Sequence, residues 1–282
     1  MGLDPGVRDM AGWVETCRSI VAPWECDITE HFTVAYYFDR LADAASMMAD
    51  SLGLTDPQPA PHRFEVRFVR ELRAGASFHI LSAPIGLDER ALRLGHQIVD
   101  SGDGEVAAWA VEVLTATAPA SPCLVSPWLG PTVERRPEPT TLEGFTPTAR
   151  DRVKPTDLGA DSNFTLAAFV HRFTAGCIQG LAAIGGTASY MEAERRGYST
   201  FELALSVSGL PRLGDPVLVE TGVVHLGASS LRFLHRMCDP RTGAEFARLS
   251  QFGVQLDLDA RRPTAFPEPL RSAAARLLVP TA

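Results

Sequence analysis

Positive charge is scarce in this chain. Its 282 residues carry 26 Lys and Arg against 34 Asp and Glu, for a formal net charge of −8 at pH 7. A nucleic-acid footprint needs a basic face, so the balance argues against nucleic-acid binding. A local arginine cluster could still hold a single phosphorylated handle. Paired cysteines are missing too. The five present, Cys17, Cys26, Cys123, Cys177 and Cys238, are odd in number and no two stand in CxxC spacing. That argues against a zinc site or a disulfide framework and fits free thiols in a reducing compartment. No apolar run reaches membrane-spanning length. The start, MGLDPGVRDMAG, lacks the basic and apolar regions of a signal peptide. Gly6 stands where N-myristoylation needs Ser or Thr. The expectation is a cytoplasmic protein with no metal and no membrane contact.

What is present is core-forming material. Hydrophobic residues make up 45% of the chain and charged residues 21%, enough for one large domain or two of ordinary size. An internal repeat decides between them. VAPWECDITEHFTVAYYFDR, from Val21, lies over VKPTDLGADSNFTLAAFVHR, from Val153, an offset of 132 residues. Val21, Pro23, Phe32, Thr33, Ala35 and Arg40 recur as Val153, Pro155, Phe164, Thr165, Ala167 and Arg172. Acidic Glu25 falls on acidic Asp157. Further on, Leu92, Arg93, His96, Asp100 and Gly104 meet Leu231, Arg232, His235, Asp239 and Gly243 at an offset of 139. The growth in offset predicts an insertion near 184 to 199 in the second copy, two helical turns or a longer loop. We therefore divide the chain into an N-terminal repeat, 1–117, a proline-rich linker, 118–150, and a C-terminal repeat, 151–282.

Each copy reads as one helix followed by an antiparallel meander, an α+β layer. In the first copy Phe38, Leu41, Ala45, Met48 and Leu52 share a helical face, which predicts a helix over 33–52. RFEVRFV alternates as a half-buried strand does. SGDGE and PRTGA are hairpin turns.

The stretch Asp27-Ile-Thr-Glu-His31-Phe-Thr33-Val-Ala-Tyr-Tyr37 resembles the DxxGHVNNxxY signature of the hotdog-fold thioesterases. Thr33 and Val34 stand where that signature has two asparagines. The order of elements, once per repeat, resembles a tandem double hotdog. Tandem acyl-ACP thioesterases place a DxNxH constellation before a glutamate at a strand end. Here Asp27, Thr29 and His31 match the first, with Thr for Asn, and Arg70-Glu71 the second. The resemblance implies an acyl-CoA thioesterase, each helix wrapped by its sheet, with coenzyme A only as part of the substrate. It implies Asp27 as general base or nucleophile, His31 as orienting or proton-sharing group and Glu71 as the residue that polarises water. Thr29, Thr33, Trp24, Tyr37, Arg70 and Asn163 are the expected substrate-binding residues.

In the second copy Gly159 replaces Asp27, Asn163 replaces His31, and Leu210 falls near Glu71. One site is therefore expected, in the first copy at its interface with the second. The small residues of AAFVHRFTAGCIQGLAAIGG would let the two helices approach closely or leave room for an acyl group. His96 and His235 recur in both copies and read as structural. The alternatives are a hotdog enoyl-CoA hydratase or dehydratase, and a non-catalytic acyl-binding protein. The expected partner is an acyl-CoA or acyl-carrier-protein thioester, met by a monomer with an intramolecular hotdog pair or by a homodimer.

Overall fold

The computed structural model describes residues 12–27, 30–54, 62–87, 91–115, 124–132 and 136–280. The first repeat contains β1 (Val14–Ile20), α1 (Val34–Ser51), β2 (His62–Phe68), β3 (Ser77–Leu87), β4 (Ala91–Asp100) and β5 (Val106–Thr115). The second contains β6 (Thr146–Arg152), α2 (Leu166–Ala183), α3 (Ala188–Ala193), β7 (Arg196–Val207), β8 (Pro216–Leu226), β9 (Ser230–Cys238) and β10 (Glu245–Asp257). The chain ends with the short β11 (Arg262–Pro263) and α4 (Glu268–Arg276). The insertion expected near 184–199 is α3 and its turn. Strand β6 begins within the stretch expected to be linker.

All strands join one antiparallel sheet in the order β1-β3-β4-β5-β2-β7-β10-β9-β8-β6, with β11 beside β10. The second half mirrors the first about the β2–β7 pair. Its register runs from His62↔Val207 to Arg67↔Glu202. Helices α1 and α2 lie against the inner face, and a single core spans both repeats, from Phe38, Leu41 and Phe64 to Phe169, Phe173 and Leu205. This is the double hotdog architecture: two long helices in the curve of one antiparallel sheet. The equivalent hairpins at 100–105 and 239–244 each turn on a glycine at positive φ, Gly104 at 77° and Gly243 at 75°, where a side chain would be strained.

The recurring residues have visible work. Arg40 reaches back to Glu25 at 2.5 Å, and Arg172 reaches Asp157 at 2.7 Å and Asp151 at 3.0 Å. The same carboxylates accept the amide N–H of Ala22 and of Lys154, at 2.9 and 2.6 Å. Each arginine thus ties its helix to the 3-10 turn that precedes it. His96 and His235 lie fully buried on the inner face. Their Nδ1 atoms pair with Ser82 and Thr221, both at 2.8 Å. Those hydroxyls meet Thr16 and Thr148 on the edge strands, at 2.6 and 2.7 Å.

Two of the small residues of α2, Gly176 and Gly180, face its own sheet. A Cβ on Gly176 would come within 3.0 Å of Thr148 and 3.1 Å of Val219, and one on Gly180 within 3.1 Å of Phe233. These glycines bring the helix down onto its own sheet. They do not open a space toward α1. Across the helix pair, the ring of Tyr36 meets His171 edge-on, with centroids 5.2 Å apart. On the opposite face of the sheet, Trp128 from the proline-rich stretch packs against Trp109 and Trp13. Gly95 leaves room for that cluster, since a Cβ there would sit 2.9 Å from two of the rings.

The Arg172 ties predict a measurable stability cost. Its side chain is only 8% exposed. Replacing it by Met should lower the unfolding free energy by about 2 kcal/mol, short of a fully buried pair because Asp151 is partly in water. Arg18→Ala, which removes an exposed pair with Glu15, should change it by less than about 0.5 kcal/mol. Urea denaturation of both variants checks the contrast.

Candidate functional site

The site starts from a tight turn. Cys26 and Phe32 pair across it as an isolated bridge. The Asp27 N–H donates to the His31 carbonyl at 2.9 Å, and Asp27 Oδ1 accepts from the His31 N–H at 3.1 Å. Glu30 takes the left-handed conformation the turn needs, φ 64°. His31 then bridges to Arg73 and Phe32 donates to the Leu72 carbonyl at 2.8 Å. His31 is therefore bridged backbone three residues before α1, outside the helix expected over 33–52. The cap is Thr33, and the helix begins at Val34.

This pairing lays the segment after β2 beside the turn, which brings His31 and Glu71 together. His31 Nε2 lies 3.0 Å from Glu71 Oε2, with the two side chains 20% and 27% exposed. Two arginines close in. Arg73 Nη2 is 2.9 Å from the same His31 nitrogen and 3.8 Å from Glu71 Oε2. Arg261 Nη2, from the turn between β10 and β11, donates to Glu71 Oε2 at 2.8 Å. The hydrogen bond from His31, the nearby imidazole and the two guanidinium groups hold the Glu71 carboxyl below its ordinary range. One ring nitrogen cannot serve both neighbours at once. As N–H it donates to Glu71; bare, it accepts from Arg73. The cluster can therefore hold a proton in more than one arrangement.

The helix starts differ between repeats. Thr165 caps α2 by accepting the Ala168 N–H at 3.1 Å. Thr33 makes no side-chain cap bond at α1. The first turn of α1 is thus not engaged by its own cap, and amide dipoles there favour negative charge. The turn before α2 keeps the same backbone, with Gly159 N–H to the Asn163 carbonyl at 2.9 Å and Ser162 at φ 62°, but no imidazole or glutamate.

The other expected residues scatter. Tyr37 is buried between Phe32 and Phe68, and burial raises its phenol above the usual range; it is part of the core. Trp24 is 80% exposed on the Pro23–Glu25 turn. Arg70 turns away to Asp103 at 2.6 Å and Asp100 at 3.6 Å, in the β4–β5 hairpin. Asn163 bonds Asp161 at 2.8 Å within the second repeat's turn. Thr29 lies outside the described residues. No group of three or more His, Cys, Asp or Glu side chains among the described residues is arranged to hold a metal ion, and none of their helices is long and apolar enough to cross a membrane. Arg261 was missed altogether: no motif marks it, and the contact spans 190 positions.

Residues 161–274, most of the second repeat, match the Thioesterase-like superfamily. The chain has a tandem hotdog fold, and most of its second repeat is similar to that superfamily. Several solved structures align with most of the chain. An acyl-ACP thioesterase from Bacteroides thetaiotaomicron aligns at a TM-score of 0.66 with 10% identity, over 88% of this chain and 100% of the other. An oleoyl thioesterase (putative) from Lactobacillus plantarum gives 0.64 with 13% identity, over 87% and 98%. The 12:0-ACP thioesterase from Umbellularia californica gives 0.58 with 12% identity, over 85% and 93%. No curated protein sequence matches the chain. At these identities the likeness establishes the fold.

The lowered Glu71 carboxyl links the site to stability. A depressed folded-state pKa adds stability above the unfolded value, about 4.3, and that stability is lost as pH falls through the folded value. The stability gap between wild type and Glu71→Gln should therefore hold at neutral pH and close below about pH 4. Urea titrations from pH 7 to pH 3 check this; a gap unchanged across that range would contradict it.

Proposed function

We propose that the chain hydrolyses an acyl thioester, carried on coenzyme A or on an acyl-carrier protein, at the mouth of α1. The observation that carries this reading is the Glu71–His31 pair, 3.0 Å apart, beside a helix start whose cap hydroxyl is not engaged. The fold it shares with proteins titled acyl-ACP and oleoyl thioesterases supports it.

Thioester hydrolysis needs an activated water and donors aimed at the developing oxyanion. The carbonyl oxygen docks at the first-turn amides of α1, where charge developing in the tetrahedral intermediate meets the positive end of the helix. Glu71, its carboxyl held below the ordinary range, is ionised at neutral pH as any such carboxylate is, and it takes the proton of the attacking water. Glu71 then returns that proton to the departing thiolate, with His31 hydrogen-bonded to the carboxyl and orienting it. Asp27 holds the turn: its carboxylate on the His31 amide sets the ring against Glu71. The second repeat lacks both partners, so one site per chain is expected.

Free-thiol release from a panel of short, long, aromatic and betainyl acyl-CoAs tests the reading. His31→Asn and Glu71→Gln should each lower kcat/KM roughly 100- to 10,000-fold. Asp27→Asn keeps an acceptor for the His31 amide and should cost less than about ten-fold, below the roughly 100-fold of a misplacement of about 1 Å. If no thioester is cleaved by wild type, or if Glu71→Gln is as active as wild type, the reading is wrong. If Asp27→Asn falls as far as the other two, the Asp27 carboxylate takes part in the chemistry directly.

A further inference from the structure

We propose that Arg261, carried by the second repeat, is the positioning residue of the first repeat's site: it fixes the Glu71 carboxylate against His31, so the site is complete only across the repeat boundary. The inference rests on the hydrolase reading of the Glu71–His31 pair and adds a residue to it.

The geometry is direct. Arg261 Nη2 and His31 Nε2 approach the same atom, Glu71 Oε2, at 2.8 and 3.0 Å. The groups facing Glu71 are His31 on the turn before α1, Arg73 on its own segment, Arg261 from the β10–β11 turn, and buried Tyr37 on α1. Arg73 cannot replace Arg261. It stands 3.8 Å from the carboxylate and presses on the His31 nitrogen that must donate to Glu71. Arg261 touches the carboxylate and leaves that nitrogen alone.

The loop that delivers Arg261 is braced. Asp257 Oδ1 accepts the N–H groups of Asp259 and Ala260 at 3.1 and 2.9 Å. Its other oxygen meets Arg196 at 2.6 Å. Leu258 donates to the Arg195 carbonyl, and Arg195 pairs with Asp259, both at 3.0 Å. Strands β10 and β11 close behind at Asp257↔Arg262. Arg261 itself is held at φ 50°, a conformation a non-glycine residue adopts only where its surroundings impose it. The Arg261 side chain is 64% exposed. An ion pair that wet contributes little to folding, so its effect should fall on where the Glu71 carboxylate points and when it takes a proton.

The test uses the full chain with Arg261→Gln and Arg261→Lys. Carbon-13 NMR follows the Glu71 carboxyl through its titration, and the pH profile of kcat/KM is measured beside it. Arg261→Gln should move the Glu71 titration up toward the ordinary carboxylate value and carry the acid limb of the profile with it. At neutral pH kcat/KM should drop roughly ten-fold, within the roughly 100-fold that a misplacement of about 1 Å can cost. Arg261→Lys should restore most of both shifts, and urea stability should hardly change in either variant. An unmoved Glu71 titration in Arg261→Gln would overturn the proposal. A titration that moves while the rate profile stays put would overturn the positioning role. If wild type cleaves no thioester, the hydrolase reading fails, while the titration still decides whether Arg261 governs Glu71.

Discussion

Strand β2 needs a neighbour on both edges, and the two repeats answer that need together. One edge goes to β5 within the repeat. The other goes to β7 of the second repeat, residue for residue from His62 to Arg67. Without that pairing each half would present a strand with open hydrogen-bonding groups, a standing invitation to association. With it, the two sheets become one, the two helices share a core, and the far end of β7 and β10 runs past the end of β2. The β10–β11 turn thereby arrives at Glu71. The reach of Arg261 is a consequence of register: a slip of one residue would turn every side chain of β2 to the other face.

Duplication explains both what the repeats share and where they part. They share the parts that hold the fold: the arginine tied to its turn, the buried histidine on its hydroxyl, the glycine of the hairpin. They differ where charge is buried. In the first repeat Glu112 sits between His62 and His96, at 2.5 and 3.3 Å. Burial alone would raise its carboxyl, but the two imidazoles outweigh burial and bring it below the usual range. In the second, Gln251 takes that position in the same alignment, and burial pushes His235 down to about 3, so its ring stays neutral. At the helix mouths, the first repeat carries Asp27, His31 and an unengaged cap; the second carries Gly159, Asn163 and a cap turned onto its own helix.

Much of this was legible in the sequence because it is local or repeated. The helix, the strands of the meander and the hairpin turns follow from periodicity and turn residues. The duplication showed itself because pairs such as Arg40 and Arg172 perform one physical task twice. Glu71 was found beside His31 through the resemblance, and the turn geometry accounts for it. What stayed hidden depends on register and long-range approach. The aromatic Trp24 stands in water, since the turn that carries it faces outward. Arg70 is drawn off by Asp103 in a hairpin thirty-three positions away. The glycines of α2 serve the sheet beneath them. Arg261 meets Glu71 only because two sheets fuse, and no local pattern encodes that.

In the proposed function one helix mouth, at α1, receives the thioester, with both repeats closing on it. The most direct measurement is a crystal structure with an acyl-CoA analogue in which a methylene group replaces the thioester sulfur, so that the bond cannot be hydrolysed. The account predicts the carbonyl oxygen at the first turn of α1, with Glu71 and His31 beside the carbonyl carbon. The carbonyl at the matching mouth of α2, beside Thr165 and Asn163, would contradict it.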